Sequence, residues 1–140
     1  MANHFYAYIS RMRCVKRWAL MRNTEEENIQ EHSHMVAVLA HALALIRTRV
    51  YGIPTDANAV AVAALYHDAT EILTGDMPTP IKYYNPEISA AYRKVEAVAS
   101  DKLLSMLPDE LRADYAPIIK PEDETVHRIV KAADKLSAYI

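Results

Sequence analysis

The chain has 140 residues, 51% of them hydrophobic, with only 2 glycines, 1 cysteine and a formal net charge of -2. That is one domain's length, able to bury roughly 70% of its unfolded surface, and its low glycine content favours helices over a turn-rich β fold. The mixed charge excludes a global basic field for nucleic acid, and the single cysteine excludes an internal disulfide.

Hydrophobic spacing is helical almost throughout. His4 to Met12 reads as a short first helix, and Arg13 to Glu27 as a charged, irregular segment carrying Lys16-Arg17-Trp18. Cys14 within it is expected to be a small buried apolar group in a reducing, cytoplasmic setting. No charged n-region followed by an apolar run opens the chain, so no signal peptide is expected.

A long helix follows from about Asn28 to Arg49. Ile29, His32, Val36, Leu39, Leu43 and Ile46 form one stripe along it. Its apolar stretch, Met35 to Ile46, is broken by His41 and is too short for a bilayer, so no membrane association is expected. Gly52 and Pro54 end the connection. Asp56 is an N-cap for a helix reaching about Leu73 and stopping at Gly75, with Val60, Ala64, His67 and Glu71 on one face.

Two prolines should keep Asp76-Met77-Pro78-Thr79-Pro80 out of regular helix. Asn85-Pro86 opens the next helix as N-cap and N1, and that helix ends before Pro108. A short helix covers Asp109 to Tyr115. The last begins after Pro121 and carries Val126, Val130 and Asp134 at four-residue steps. The expected fold is all-α, one compact bundle of five or six helices in a single domain.

His32, His67, Asp68 and Asp134 occupy positions where these patterns call for apolar, core-facing residues. Burying so much ionisable chemistry is costly unless something pairs with it. A divalent cation held by two imidazoles and two carboxylates would do so. The mixed donor set suits Co, Mn, Fe, Ni or Zn better than Mg, which prefers oxygen alone. Adjacent His67 and Asp68 would point about 100° apart on a helix, so an ion must lie between their directions. Each residue also has a plainer reading, since one histidine on an apolar stripe is more often a hydrogen-bonded core residue. His4, His34, His41 and His127 are assigned no ligand role. Glu71, one turn after His67, could take or give a proton beside such an ion.

The order His…His-Asp…Asp resembles the HD-domain metal-dependent phosphohydrolases. Arg17-Trp18, Glu31-His32-Ser33, Tyr66-His67-Asp68-Ala69-Thr70-Glu71 and Leu73-Thr74-Gly75-Asp76-Met77-Pro78-Thr79-Pro80 narrow the likeness to bacterial 5'-deoxynucleotidases of the YfbR type. The resemblance spans essentially the whole chain. It implies an HD-domain bundle that removes the 5'-phosphate from (deoxy)ribonucleoside monophosphates, deoxy preferred, in the cytoplasm and as a homodimer. It implies His32, His67, Asp68 and Asp134 as metal ligands and Glu71, Asp76 and Arg17 as catalytic residues. Arg17, Trp18, His32, Asp68, Asp76, Met77, Pro78, Thr79 and Asp134 would contact the nucleotide. Arginine offers a planar fork for phosphate oxygens, and an apolar wall alone rejects an added hydroxyl by only about 100-fold. The resemblance also implies further C-terminal helices beyond Ile140. Two rival readings remain at this level. One is a non-catalytic HD-like module binding a nucleotide or protein, and the other is an HD hydrolase of another nucleotide.

Overall fold

The computed structural model describes residues 3–17, 26–77 and 79–140. Among them the regular elements are helical: α1 (Phe5–Ile9), a 3-10 turn (Ser10–Cys14), α2 (Ile29–Arg49), α3 (Ala57–Leu65), α4 (Glu71–Thr74), α5 (Thr79–Lys82), α6 (Pro86–Ser105), α7 (Asp109–Ile119) and α8 (Glu124–Ser137). One isolated antiparallel bridge joins Lys16 and Asn28. There the Arg17 N–H donates to the Glu27 carbonyl at 2.8 Å, and the Ile29 N–H donates to the Val15 carbonyl at 2.9 Å. None of the described helices is long and apolar enough to cross a membrane.

The all-α expectation holds, with eight α-helices among the described residues where five or six were expected. The expected caps are in place. Asp56 accepts from the Ala59 N–H at 3.0 Å and Asn85 from the Ile88 N–H at 2.8 Å, with Pro86 at the start of α6. Asp123 caps α8 by accepting from the Thr125 and Val126 N–H groups at 2.9 and 3.3 Å. These bonds satisfy N–H groups that a helix start leaves orphaned.

Several expectations need correction. The helix expected from Asp56 to Leu73 stops at Leu65, and residues 66–70 form turns before α4. The Tyr66 and His67 N–H groups reach back only three residues, to the Ala63 and Ala64 carbonyls at 3.2 and 3.3 Å, which tightens the helix end. Thr79-Pro80 opens α5 instead of staying irregular. Proline is tolerated in a first helical turn, where its missing N–H has no partner to lose. The helix expected to end at Tyr115 runs on through Pro117 to Ile119. Cys14 is exposed, because it ends the 3-10 turn on its solvent side.

Contacts group the chain into two units, Met1–Gln30 with Ala69–Tyr115 and Glu31–Asp68 with Ala116–Ile140. In the first, α4 and α5 pack on α6. Phe5, fully buried, meets Tyr115 edge-on with ring centroids 5.0 Å apart. In the second, α3 packs on α8, and the core is Val36, Ala37, Ala40, Ala44, Val60, Ala63, Ala64, Ile129, Val130 and Ala133. Its α2 face is lined mainly by alanines, while Ile46, expected on the buried stripe, is 46% exposed. Small side chains let helix axes approach closely, so the buried ridge follows the alanines and not the largest aliphatics.

Candidate metal centre

All four expected ligands fall in the second unit. His32 comes from the first turns of α2, His67 and Asp68 from the turns after α3, and Asp134 from the last turns of α8. His32 is essentially buried, at 1% exposure. It follows Ile29 and precedes Val36 on the core face, so the sequence pattern that buries those two also buries the imidazole.

His67 is oriented by its own backbone. Its Nδ1 donates to the Ala64 carbonyl at 2.7 Å. A carbonyl can only accept, so the proton sits on Nδ1 and Nε2 is the nitrogen turned to the carboxylates. A second hydrogen bond of this kind is how a ligating histidine is commonly fixed.

The carboxylates converge on the two Nε2 atoms. Asp68 Oδ2 lies 3.1 Å from His67 Nε2 and 3.6 Å from His32 Nε2. Asp134 Oδ1 lies 2.7 Å from His32 Nε2 and 4.0 Å from His67 Nε2. Yet both Nε2 atoms are sealed from solvent and neither is in hydrogen-bonding geometry, so the oxygens stand off the ring N–H directions. The rings are tilted at 52° with centroids 5.4 Å apart. One donor atom each from His32, His67 and Asp68 lie within 4.8 Å of one another. Donors around one transition ion at about 2.0–2.2 Å would be roughly 3–4 Å apart, so the set fits a divalent cation. Asp134 stands beside these three, with a half-exposed side chain.

The protonation pattern is that of a site holding a positive charge. Burial of the His67 ring opposes its ionisation. The adjacent Asp68 carboxylate, the Ala64 carbonyl and the Asp134 charge overcome this and lift His67 to about 9. Burial raises Asp134, but His32 beside it and the His67 and His32 charges bring it below the ordinary carboxylate value. A carboxylate held ionised beside imidazoles supplies charge and donor types that a cation takes.

Among the described residues, Arg17, Glu71, Asp76 and Met77 fall in the first unit. Glu71 heads α4 with its Oε2 sealed from solvent. Arg17 is half-buried, its Nε 3.2 Å from Glu27 Oε2. Asp76 and Met77 are half-buried in the segment after Gly75, whose φ of 76° suits a residue without a Cβ. Trp18, Pro78 and the Thr79 side chain lie outside the described residues. His4, His34 and His127 are exposed and His41 is half-buried, none of them within the cluster of His32, His67 and Asp68.

Residues 4–140 match the family described as 5'-deoxynucleotidase YfbR-like. The chain is 51% identical to a 5'-deoxynucleotidase of Vibrio vulnificus over 99% of its own length and 72% of that protein's. It is 49% identical to the 5'-deoxynucleotidase YfbR of Salmonella paratyphi B, over 99% of this chain and 70% of that one. Among solved structures, an HD-domain phosphohydrolase from Listeria innocua superposes with a TM-score of 0.80 at 22% identity, covering 98% of this chain and 66% of that one. The cyanophage S-2L HD phosphohydrolase, bound to dA and one catalytic Zn2+, superposes with a TM-score of 0.64 at 24% identity, over 91% and 64%. The chain thus spans slightly under two thirds of the length of both solved structures.

Proposed function

This chain belongs to the YfbR-like 5'-deoxynucleotidase family, and from that premise we propose that it hydrolyses deoxyribonucleoside 5'-monophosphates to deoxynucleoside and phosphate. The observation that carries the reading is the pair of buried Nε2 atoms of His32 and His67, both beside carboxylates and neither hydrogen-bonded. A binding module has no use for such a costly set.

His32, His67, Asp68 and Asp134 would hold one divalent transition ion, with Co, Mn, Fe, Ni and Zn all suited to the donors. The named Zn2+ of the cyanophage relative supports zinc among these. When bound, the ion would supply Lewis acidity to a phosphoryl oxygen and acidify a water molecule.

The chain's own residues do the rest. Arg17 leaves Glu27 to clamp the phosphate, since its fork matches phosphate oxygens and neutralises the dianion. Water attacks phosphorus in line as the bond to O5' breaks. Glu71 takes the water's proton and returns it to O5', which leaves as the deoxynucleoside hydroxyl. By the family likeness, Asp76, Met77, Pro78 and Thr79 would contact the nucleotide and Trp18 the sugar. No covalent phosphoenzyme is part of the scheme. The protein acts in the cytoplasm as a single HD domain and pairs as a homodimer, with no nucleic acid polymer or membrane as partner.

The test is incubation of metal-loaded protein with dAMP, AMP, dATP and a cyclic nucleotide, followed by assay of phosphate and pyrophosphate. Phosphate from dAMP and little from AMP supports the proposal. Turnover of dATP or the cyclic nucleotide alone would point to another HD hydrolase. No turnover with any of the five metals would contradict it in favour of a binding module.

A further inference from the structure

A groove runs between α4 and α6 within the first unit, where these two helices pack together. Leu73 and Thr74 line it from α4, and Val95, Val98 and Ala99 line it from α6, around a cavity of about 470 Å³. Ala99 is buried, whereas Val95 and Val98 are 50% and 68% exposed. Two valines so open on one stretch of helix leave apolar surface that a docked partner would remove from water.

Lys94 and Lys102 complete the lining. Both are exposed, and neither ammonium is in an ion pair among the described residues. Lys94, Val98 and Lys102 are spaced by four, so they form one row along α6 with the valine midway between two cations. At 1.5 Å per residue the lysines stand about 12 Å apart along the helix axis. No described acidic residue lines the groove, although the chain's formal net charge is -2.

These features select among occupants. An anionic membrane surface is held by clusters of about four to eight basic residues, and only two line this groove. A second copy docked through the same face would set two lysines from each chain round one apolar strip, with no lining carboxylate to offset them. A helical segment matches the row when it carries acids two turns apart with an apolar residue between them.

We propose that the α4–α6 groove docks an amphipathic helix of a partner protein, one with acidic residues two turns apart and an apolar residue midway. The acids pair with Lys94 and Lys102, and the apolar residue lies on Val95 and Val98. The surface is independent of the proposed hydrolysis, which uses no residue of α6.

Fluorescence anisotropy with a labelled, alanine-based helical peptide of about 20 residues tests it. The peptide carries two glutamates spaced like Lys94 and Lys102, with leucine midway. It should bind saturably, and raising salt from about 0.05 to about 0.5 M should weaken it about threefold or more. Lys94→Glu combined with Lys102→Glu should weaken binding about tenfold or more, and so should Val98→Asp. The charge-reversed protein should instead bind the peptide whose glutamates are replaced by lysines. All three positions are exposed, so thermal melts should show these proteins folded.

No saturable binding by the wild type would overturn the proposal. So would affinity untouched by the lysine reversals, or equal affinity for a peptide of the same composition with its glutamates on another helix face. Protein that ignores the peptide but binds vesicles of phosphatidylcholine and phosphatidylserine assigns the groove to a membrane and overturns it. Sedimentation in which a wild-type dimer is lost in Val98→Asp assigns the face to a second copy, with the same consequence.

Discussion

His67 donates its Nδ1–H to the carbonyl of Ala64, three residues back, at 2.7 Å. That bond anchors the ring in the turns that follow α3, with Nε2 beside Asp68. The site therefore depends on where a helix stops as much as on which residues it contains. His67→Ala removes one of the proposed ligands and this anchor together. Metal bound per chain, measured by elemental analysis after gel filtration, should fall well below one, and kcat should fall by at least about a hundredfold. Retention of one tightly held ion would contradict the ligand role.

Metal uptake should carry a definite pH dependence. In the metal-free protein His67 stays protonated up to about 9, above its ordinary 6.5. A group raised on folding contributes stability that is fully present below about 6.5 and is lost as pH rises through about 9. Metal-free protein should therefore lose part of its stability between those values. The ion must displace the same proton, so its affinity should rise with pH by up to about tenfold per unit and level off above about 9. Calorimetric titration at pH 6, 7 and 8 measures it. A flat profile would remove His67 from the ligand set.

Asp134 titrates in the opposite sense. Its carboxyl lies below the ordinary value, so its contribution is present above that value and is lost in acid. Asp134→Asn should weaken the acid-side loss of stability in metal-free protein and lower the affinity for Co2+. An unchanged Co2+ affinity would exclude Asp134 from the coordination sphere.

Core and cap changes along α8 should separate stability from chemistry. Asp123→Ala deletes the cap at 2.9 Å from the Thr125 N–H and should cost about 1 kcal/mol, with kcat little changed. Ala133→Leu forces a larger side chain into a fully buried position adjoining Asp134, and should cost about 1–3 kcal/mol. It should also lower metal affinity. Thermal melts and metal titration of both proteins check the contrast.

Cys14 is exposed, against the expectation from its small apolar character. Cys14→Ser should leave the melting temperature within about 1 °C, since surface changes away from special features cost little. A thiol reagent should label the native protein within minutes.

Much of the site was legible because its residues break a pattern. His32 on the face of Ile29 and Val36, and Asp134 four after Val130, are ionisable groups where a helix buries apolar ones. The caps Asp56 and Asn85 were equally plain, each followed by three residues to the N–H it accepts. The early stop of α3 was not legible, because Leu65, Tyr66 and Ala69 continue an acceptable helical pattern. At that end the Tyr66 and His67 N–H groups reach back three residues, and the His67 ring also bonds the Ala64 carbonyl. The buried ridge of α2 was misread for a related reason. Hydrophobic spacing weights Ile46 above Ala40 and Ala44, whereas close helix contact selects the alanines.

The most direct test of the metal-dependent hydrolysis is a titration of activity with metal. Protein stripped by chelation is dialysed free of chelator, and phosphate release from dAMP is followed as Co2+ is added in steps. Activity should start near zero, rise linearly and saturate at one ion per chain, and the His32→Ala protein should show no such rise. Phosphate release that is undiminished after chelation, or that His32→Ala leaves intact, would contradict the account.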